Sequence, residues 1–284
     1  MQTVNSLSGG KTSSYIASNY PADFNVFSLV RTDDRDLLFP DEKIRKVVSE
    51  KIGREFIGTL EDNDIIYTML DLEQYLGQKI NWISGMSFDE VLKMKQGRGD
   101  VYLPNKAQRF CTVEMKIKPI FYWCAENTDL PVEMRIGFRS NEQSRATTMI
   151  DRCEDGIEFM KATFTKNKNG TNHWEDVAYR KPVFPLIDDG IFKDNIEEYW
   201  KGKPVRFAYL NNCVGCFNRN EMLLKHMSNK DPKTFEWFAK QERDTDYKAK
   251  FKTGTTYDKI KSHKSQHTLF DDDFNECDSG YCGL

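Results

Sequence analysis

The chain has 284 residues, with 41 Lys and Arg against 44 Asp and Glu and a formal charge of -3. That balance leaves no global field to draw in a polyanion, so contact with nucleic acid would need a local patch. No stretch approaches the roughly 20 apolar residues of a membrane helix, and the start runs into polar Ser8-Gly9-Gly10 instead of a leader's apolar region, so a cytoplasmic protein without a membrane partner is expected.

Val4–Leu7 is a short apolar start, Lys11–Tyr20 reads as a helix, and Phe24–Val30, rich in β-formers, reads as a buried strand. A helix over Asp41–Lys51 leads into a strand-like Glu55–Leu60, and a helix over Val113–Ala125 leads into a strand at Val132–Phe138. Alternation over about half the chain predicts an α/β fold, a parallel sheet covered by helices on both faces. Between these segments, Met86–Gln108 holds a helix-like piece and then Gly97-Arg98-Gly99-Asp100, turn chemistry suited to a loop near a site.

After Asn141 the pattern changes. The polar run Lys166–Asn172 separates two expected strands, which predicts a hairpin insertion over about 155–182. Beyond Cys213 the chain is helical and charged, with Glu221–Met227 and Pro232–Glu242 the clearest helices. From Lys250 onward it is polar, carries Asp271-Asp272-Asp273, and is expected to stay unordered unless something ties it down. Trp82, Trp123, Trp200 and Trp237 stand in apolar helical settings and are read as core, not as base-stacking platforms.

Ser8-Gly9-Gly10-Lys11-Thr12-Ser13 falls between the first strand and the first helix, where backbone amides and the positive end of a helix dipole converge on an anion. Two glycines let the backbone come close, and the hydroxyls of Ser8, Thr12 and Ser13 can donate to phosphate oxygens. By itself the hexapeptide is equally a Gly-Gly turn with a hydroxyl cap; its place at the first strand-to-helix junction selects the phosphate reading. The Gly-x-x-x-x-Gly-Lys-Ser/Thr spacing of a Walker loop is absent.

Serine, two glycines, two variable residues and serine at this junction resemble the PP-loop of the adenine-nucleotide α-hydrolase superfamily. Arg109-Phe110-Cys111-Thr112 with Lys116 and Pro119 resembles the Cys-Cys-x-x-x-Lys-x-x-Pro element of APS reductases and DNA-sulfur-modification enzymes, with Phe110 in place of the first cysteine. Gly137-Phe138-Arg139-Ser140-Asn141-Glu142 with Arg145 resembles their Gly-hydrophobic-Arg-x-x-Glu-x-x-Arg element. Pro185-Leu186-Ile187-Asp188, Ile196 and the Tyr199-Trp200 pair are similar to a Pro-Leu stretch leading into a helix, and Cys213-Val214-Gly215-Cys216 stands where the family has Cys-x-x-Cys. Taken together these elements resemble the PAPS reductase-like family, including phage-encoded and DNA-sulfur-modification members.

The resemblance implies a HUP-type parallel five-stranded sheet, with the nucleotide across the carboxyl ends of the strands. It divides the chain into a PP-loop nucleotide-binding domain over 1–210 and a helical, cysteine-containing region over 211–284. Arg139 and Arg145 would offer planar forks to phosphate or sulfate oxygens, Lys116 a point charge, and Arg109 and Asp33 further nucleotide contacts. Asp33 and Asp34 could touch ribose or magnesium, or could simply cap a helix.

Seven cysteines without an export signal argue against a disulfide framework and for metal binding or thiol chemistry. Cys213 and Cys216 form a Cys-x-x-Cys and Cys277 and Cys282 a looser pair, a set suited to zinc or an iron-sulfur cluster. By the resemblance, Cys111 would join Cys213 and Cys216 on a [4Fe-4S] cluster, with Cys277 or Cys282 as a fourth ligand; Zn2+ on Cys213, Cys216, Cys277 and Cys282 is the alternative. Sulfonucleotide reductases end in Glu-Cys-Gly-hydrophobic-His. Here Glu276-Cys277 matches its first half and Cys282-Gly283-Leu284 a version without histidine, so either cysteine is a candidate nucleophile. Cys124 is read as core and Cys153 as having no role, while the surface-like setting of His263 and His267 argues against a zinc site there.

The expected activity is that of an ATP pyrophosphatase: ATP and Mg2+ at Ser8–Ser13, clamped by Lys116, Arg139 and Arg145, would activate an acceptor by adenylation for sulfur transfer. The acceptor could be nucleic acid, and the sulfur could come from a donor protein. Two alternatives stay open. One is a PAPS or APS reductase using Cys277 or Cys282 with a thioredoxin-like reductant, and the other is a non-catalytic nucleotide- or nucleic-acid-binding protein with a structural metal.

Overall fold

The computed structural model describes residues 1–96, 102–209 and 211–263. The Gly97–Asp100 turn, His267, Cys277 and Cys282 lie outside the described residues. In chain order come β1 (Thr3–Leu7), α1 (Lys11–Asn19), β2 (Phe24–Ser28), α2 (Glu42–Ile52), α3 (Asp64–Leu76), β3 (Ile80–Ile83) and α4 (Phe88–Gln96). A continuous helical rod follows, built of α5 (Phe110–Thr112), a π turn (Val113–Ile117) and α6 (Lys118–Asn127). Next are β4 (Val132–Arg135), α7 (Gln143–Ile150), β5 (Glu158–Lys166), β6 (Asn172–Val183), α8 (Pro185–Asp188) and α9 (Lys193–Trp200). The last three helices are α10 (Glu221–Lys230), α11 (Pro232–Arg243) and α12 (Tyr257–Ser262).

The strands form one sheet in the order β3-β2-β1-β4-β6-β5, with helices against it. β1 runs parallel to β2 on one side and to β4 on the other, which makes its carboxyl end the point where the strand order reverses. Val4, Val26, Val132 and Met134 are wholly buried, each burial stabilising by roughly 1.5–3 kcal/mol. Asn5 and Asn25 are register partners, and the buried Asn5 Nδ2 donates to Asn25 Oδ1 (3.1 Å) and to the Tyr20 carbonyl (3.1 Å). This polar pair favours one register over a slip, which would strand both amides in the core.

Several expectations need correction. The hairpin is part of the sheet and not an insertion: β6 pairs in parallel with β4 through Arg180–Val183, and β5 is added antiparallel at the edge. The sheet therefore has five parallel strands and a sixth antiparallel one. Glu55–Leu60 is a connection, not a strand; it meets residues 32–39 through the Thr32–Gly58 bridge and the Phe39 amide on the Ile57 carbonyl (2.8 Å). Its buried Phe56, Ile57 and Leu60 imitate a strand because short apolar runs do not distinguish the two. Trp82 lies on β3, a strand of four residues, and not in a helix.

The segment after Lys250 is ordered as far as it is described: Phe251, Tyr257 and Ile260 are buried, and α12 packs on α10 and α11. Glu242 ties this segment down, accepting from the amides of Phe251 (3.0 Å) and Tyr257 (2.7 Å). The core of the last helices runs without a break into Val30, Leu60, Phe88 and Cys111, beneath the carboxyl ends of the strands. Among the described residues no helix is long and apolar enough to cross a membrane.

Candidate functional site

The turn after β1 is shaped by Gly9, whose φ of +79° is the left-handed conformation that glycine tolerates. A Cβ at Gly9 would stand 2.6 Å from Ile65 Cγ2 on α3, so close packing and backbone both select glycine. Ser13 holds the turn from inside: its Oγ accepts from the Ser8 amide (3.2 Å) and donates to the Gly10 carbonyl (3.1 Å), with Ser8 Oγ at 3.1 Å. Two of the three expected phosphate hydroxyls therefore shape the loop. The third, Thr12 Oγ1, is buried and has no hydrogen-bond partner among the described residues. The amides of the first helical turn have no acceptor within the helix, which leaves Lys11, Thr12 and Ser13 N-H groups for an anion.

β4 delivers the neighbouring element. Gly137 passes the first turn of α1 so closely that a Cβ would lie 3.3 Å from Thr12 Cγ2. Just beyond it, Arg139 is buried, with Nε on Glu142 Oε2 (3.1 Å) and Nη1 without a hydrogen-bond partner among the described residues. Arg145 pairs with the other oxygen of Glu142 and lies over the Phe138 ring, 4.4 Å from its centroid. One carboxylate thus orients both arginines, and the enclosed Arg139 Nη1 is the donor left over.

Lys11 turns aside and pairs with Glu197 on α9, whose Trp200 Nε1 donates to the Lys11 carbonyl (3.0 Å). Gly9, Gly10, Lys11, Glu197, Phe207 and Asn211 line a polar pocket of about 240 Å³ outside the turn. Asp33 pairs with Arg31 and accepts from Ser87, while Asp34 caps the short 3-10 turn Arg35–Leu37 by accepting from the Asp36 amide (2.9 Å). Capping is what the structure shows for Asp34. Arg109 stands at the N-terminus of α5, with Nε on the Lys106 carbonyl (3.4 Å).

A second cavity, of about 50 Å³, lies beside the first. Cys111, Cys213 and Cys216 line it, brought together from α5 and from the turn before α10 across a long sequence separation. The Cys213 turn is stapled to the end of the Glu55–Leu60 segment, with the Val214 amide on the Leu60 carbonyl (2.8 Å) and Cys213 bridged to Glu61. Gly215 is required there, since a Cβ would sit 2.4 Å from Phe238 Cγ. Lys116 also lines the cavity, its Nζ 2.8 Å from Oε1 of the buried Glu61. Burial pushes Glu61 above the ordinary carboxylate range, with the Lys116 and Arg219 charges acting the other way. Desolvation also pushes the Cys111 thiol up to about 12 and that of Cys213 well above its usual value. These are protonated thiols in an apolar box.

The two cavities meet at one peptide: Asn211 lines the pocket outside the turn and Asn212 the thiol cavity. Gly137, two residues before Arg139, packs on the first turn of α1, and the thiol cavity gathers Cys111, Lys116, Cys213 and Cys216. Lys116 pairs with Glu61 at the wall of the thiol cavity. Cys124 is wholly buried and Cys153 bonds the Met149 carbonyl. His263 is exposed.

For a metal, the donor chemistry and the geometry part ways. Three thiols share a cavity, yet among the described residues no three His, Cys, Asp or Glu side chains are grouped to hold an ion. Sequence reading passed over Glu61, Glu197, Asn211, Asn212 and Arg219. The signal for Glu61 was a charge closing the apolar run Phe56–Leu60, and for Arg219 a cation three residues beyond Cys216.

Architecturally this is an open, mostly parallel α/β sheet of Rossmann-like form, with a glycine turn at its switch point. No protein-family model, no curated protein and no solved structure matches the chain.

Proposed function

We propose that this chain is a PP-loop ATP pyrophosphatase-type enzyme that binds an adenine nucleotide and activates an acceptor by adenylation for sulfur transfer. The observation that carries the reading is the adjacency just described: a phosphate-receptive turn at the sheet's switch point, one peptide from a cavity of three thiols. Among the described residues Thr12 Oγ1, in the turn, and Arg139 Nη1, two residues beyond the Gly137 that packs on it, are buried polar atoms without hydrogen-bond partners, and a bound anion would give them one.

In this reading the amides of Lys11, Thr12 and Ser13 hold the phosphate chain, and Lys11 leaves Glu197 to join them. An acceptor oxygen attacks the α-phosphorus, the bond to the bridging β-phosphate oxygen breaks, and pyrophosphate leaves with the electron pair. Arg139, fixed by Glu142, stabilises the charge that gathers on the equatorial oxygens. Asp33 would be the residue to hold a nucleotide-bound magnesium, which would supply charge neutralisation on the leaving group. Asp33 is the proposed ribose or magnesium contact, and Arg109 and Arg145 are outer contacts. A sulfur nucleophile then displaces AMP from the adenylated acceptor. Lys116 acts on the thiol side, not on the phosphates. A cluster or zinc on Cys111, Cys213 and Cys216 with Cys277 or Cys282 is a further proposal, read out by anaerobic metal and sulfide analysis.

The test incubates the full-length protein with ATP, or with PAPS, and measures the products. ATP-dependent pyrophosphate release that falls at least about tenfold in Arg139→Met supports adenylation, a charge-assisted contact being worth about 1.5–3 kcal/mol. Sulfite release from PAPS that depends on Cys277 or Cys282 would replace it with the reductase reading. Tight ATP binding with neither product would leave a non-catalytic nucleotide binder.

A further inference from the structure

The Lys11 ammonium is seated against α9, paired with the Glu197 carboxylate and 6.0 Å from the centroid of the Phe207 ring. All three side chains line the pocket of about 240 Å³ outside the turn, together with Gly9, Gly10 and Tyr209. A second hollow, of about 500 Å³, shares Lys11, Glu197 and Phe207 and adds Asp194, Glu198 and Lys201. A carboxylate beside an aromatic ring holds an ammonium by charge and by the negative face of the ring. The molecule therefore already shows an ammonium in this place, and it is its own.

The anchoring of α9 decides what remains when that side chain leaves. Trp200 Nε1 donates to the Lys11 carbonyl (3.0 Å), a bond to backbone that does not depend on where the ammonium lies. Glu197 would stay at the wall while Lys11 swings away, with Asp194 and Glu198 in the adjoining lining and Lys201 as the remaining lysine of the two. Three carboxylates against one lysine repel a phosphate chain and favour a cation. A pocket of about 240 Å³ is below the roughly 300–1,000 Å³ of drug-sized sites, so its occupant is small.

We propose that this pocket is an ammonium-binding site and that it takes the acceptor of the adenylation, a small molecule carrying an ammonium group beside its nucleophilic oxygen. Glu197 and Phe207 hold the cation, and the nucleotide opens the site by drawing Lys11 to its phosphates, so nucleotide binds before acceptor. The acceptor role and this order rest on the adenylation reading; the ammonium site itself does not.

The test removes the resident ammonium and supplies a free one. Lys11→Ala takes away a propylammonium fragment, so n-propylammonium chloride is the probe, with sodium chloride at equal ionic strength as the control and the melting midpoint as the readout. The probe should raise the midpoint of full-length Lys11→Ala above the control. Adding Glu197→Gln should weaken its binding at least about threefold, a modest factor because Lys11 and Glu197 are 31 % and 36 % exposed and water screens the pair. No shift in Lys11→Ala, or equal affinity in the double variant, overturns the site. Lys11→Ser takes the place of the alanine variant should that one fail to fold. The wild type is titrated with the same probe by calorimetry, with and without a non-hydrolysable ATP analogue. Binding at least about threefold tighter with the analogue supports the order, and equal binding in both overturns it. ATP bound by the wild type with no rescue of Lys11→Ala sinks this site alone, whereas rescue without ATP binding sinks the adenylation reading and leaves the ammonium site.

Discussion

Gly9→Ala tests whether the turn after β1 is built for close approach or is an incidental loop. The new methyl would sit 2.6 Å from Ile65 Cγ2, nearer than non-bonded carbons approach, and the residue would have to hold φ at +79°. The left-handed backbone costs about 1–2 kcal/mol outside glycine, and the overlap costs about 1–3 kcal/mol more. The expected loss is therefore about 2–5 kcal/mol, and at roughly 2–4 °C per kcal/mol the melting midpoint should fall by about 4–20 °C. The steric part is separable, because in Ile65→Ala the branch that clashes is gone while the Cβ, at an ordinary 3.5 Å, remains. In a double-mutant cycle read by urea unfolding, the pair should be less destabilised than the two singles added, by about 1–3 kcal/mol. Additivity within about 0.5 kcal/mol would refute the packing argument.

Other expectations are independent of that turn. Gly215→Ala drives a methyl into the Phe238 ring at 2.4 Å, so the fold should lose about 1–3 kcal/mol or more in chemical denaturation. Lys116→Met leaves Glu61 buried without its 2.8 Å partner, and breaking such a pair should cost about 3–5 kcal/mol; a neutral result would place Lys116 elsewhere. Burial raises the pKa of Glu242, so its contribution is whole below the ordinary glutamate range and is lost as pH climbs through that range to the raised folded value. The stability difference between wild type and Glu242→Gln should shrink over that window, measured as midpoint against pH. With its thiol at about 12, Cys111 should react with iodoacetamide at least about 100-fold more slowly in the native protein than in urea, as peptide mass mapping would show.

The sheet was legible where periodicity is unambiguous. Val4–Leu7, Phe24–Val30 and Val132–Phe138 announced three of the parallel strands by β-branched and aromatic content, and the helix expected over Asp41–Lys51 is α2, which Asp41 caps and Gly53 ends. β3 was not legible, since Ile-Asn-Trp-Ile is too short to show a period and Trp82 is shared equally by helices and strands. The hairpin's place in the sheet depends on β6 pairing with β4 across a long separation, which no local pattern encodes.

The site divides in the same way. The glycine turn between β1 and α1 could be read because glycines, hydroxyls and a helix start are adjacent in sequence. The meeting of Cys111 with Cys213 and Cys216 was expected only through a resemblance, and the capture of Lys116 by Glu61 not at all. That pairing is settled by where the Thr59–Asp62 corner crosses the helical rod, a tertiary fact. Ser8 and Ser13 were read as phosphate donors but brace the loop, because a hydroxyl near backbone groups bonds locally first.

The most direct measurement is a crystal structure of the full chain with a non-hydrolysable ATP analogue and magnesium. Phosphate oxygens should lie within hydrogen-bond distance of the Lys11, Thr12 and Ser13 amides and of Arg139 Nη1, with Lys11 released from Glu197. A nucleotide bound away from the β1–α1 turn, or none bound at saturating analogue, would contradict the account.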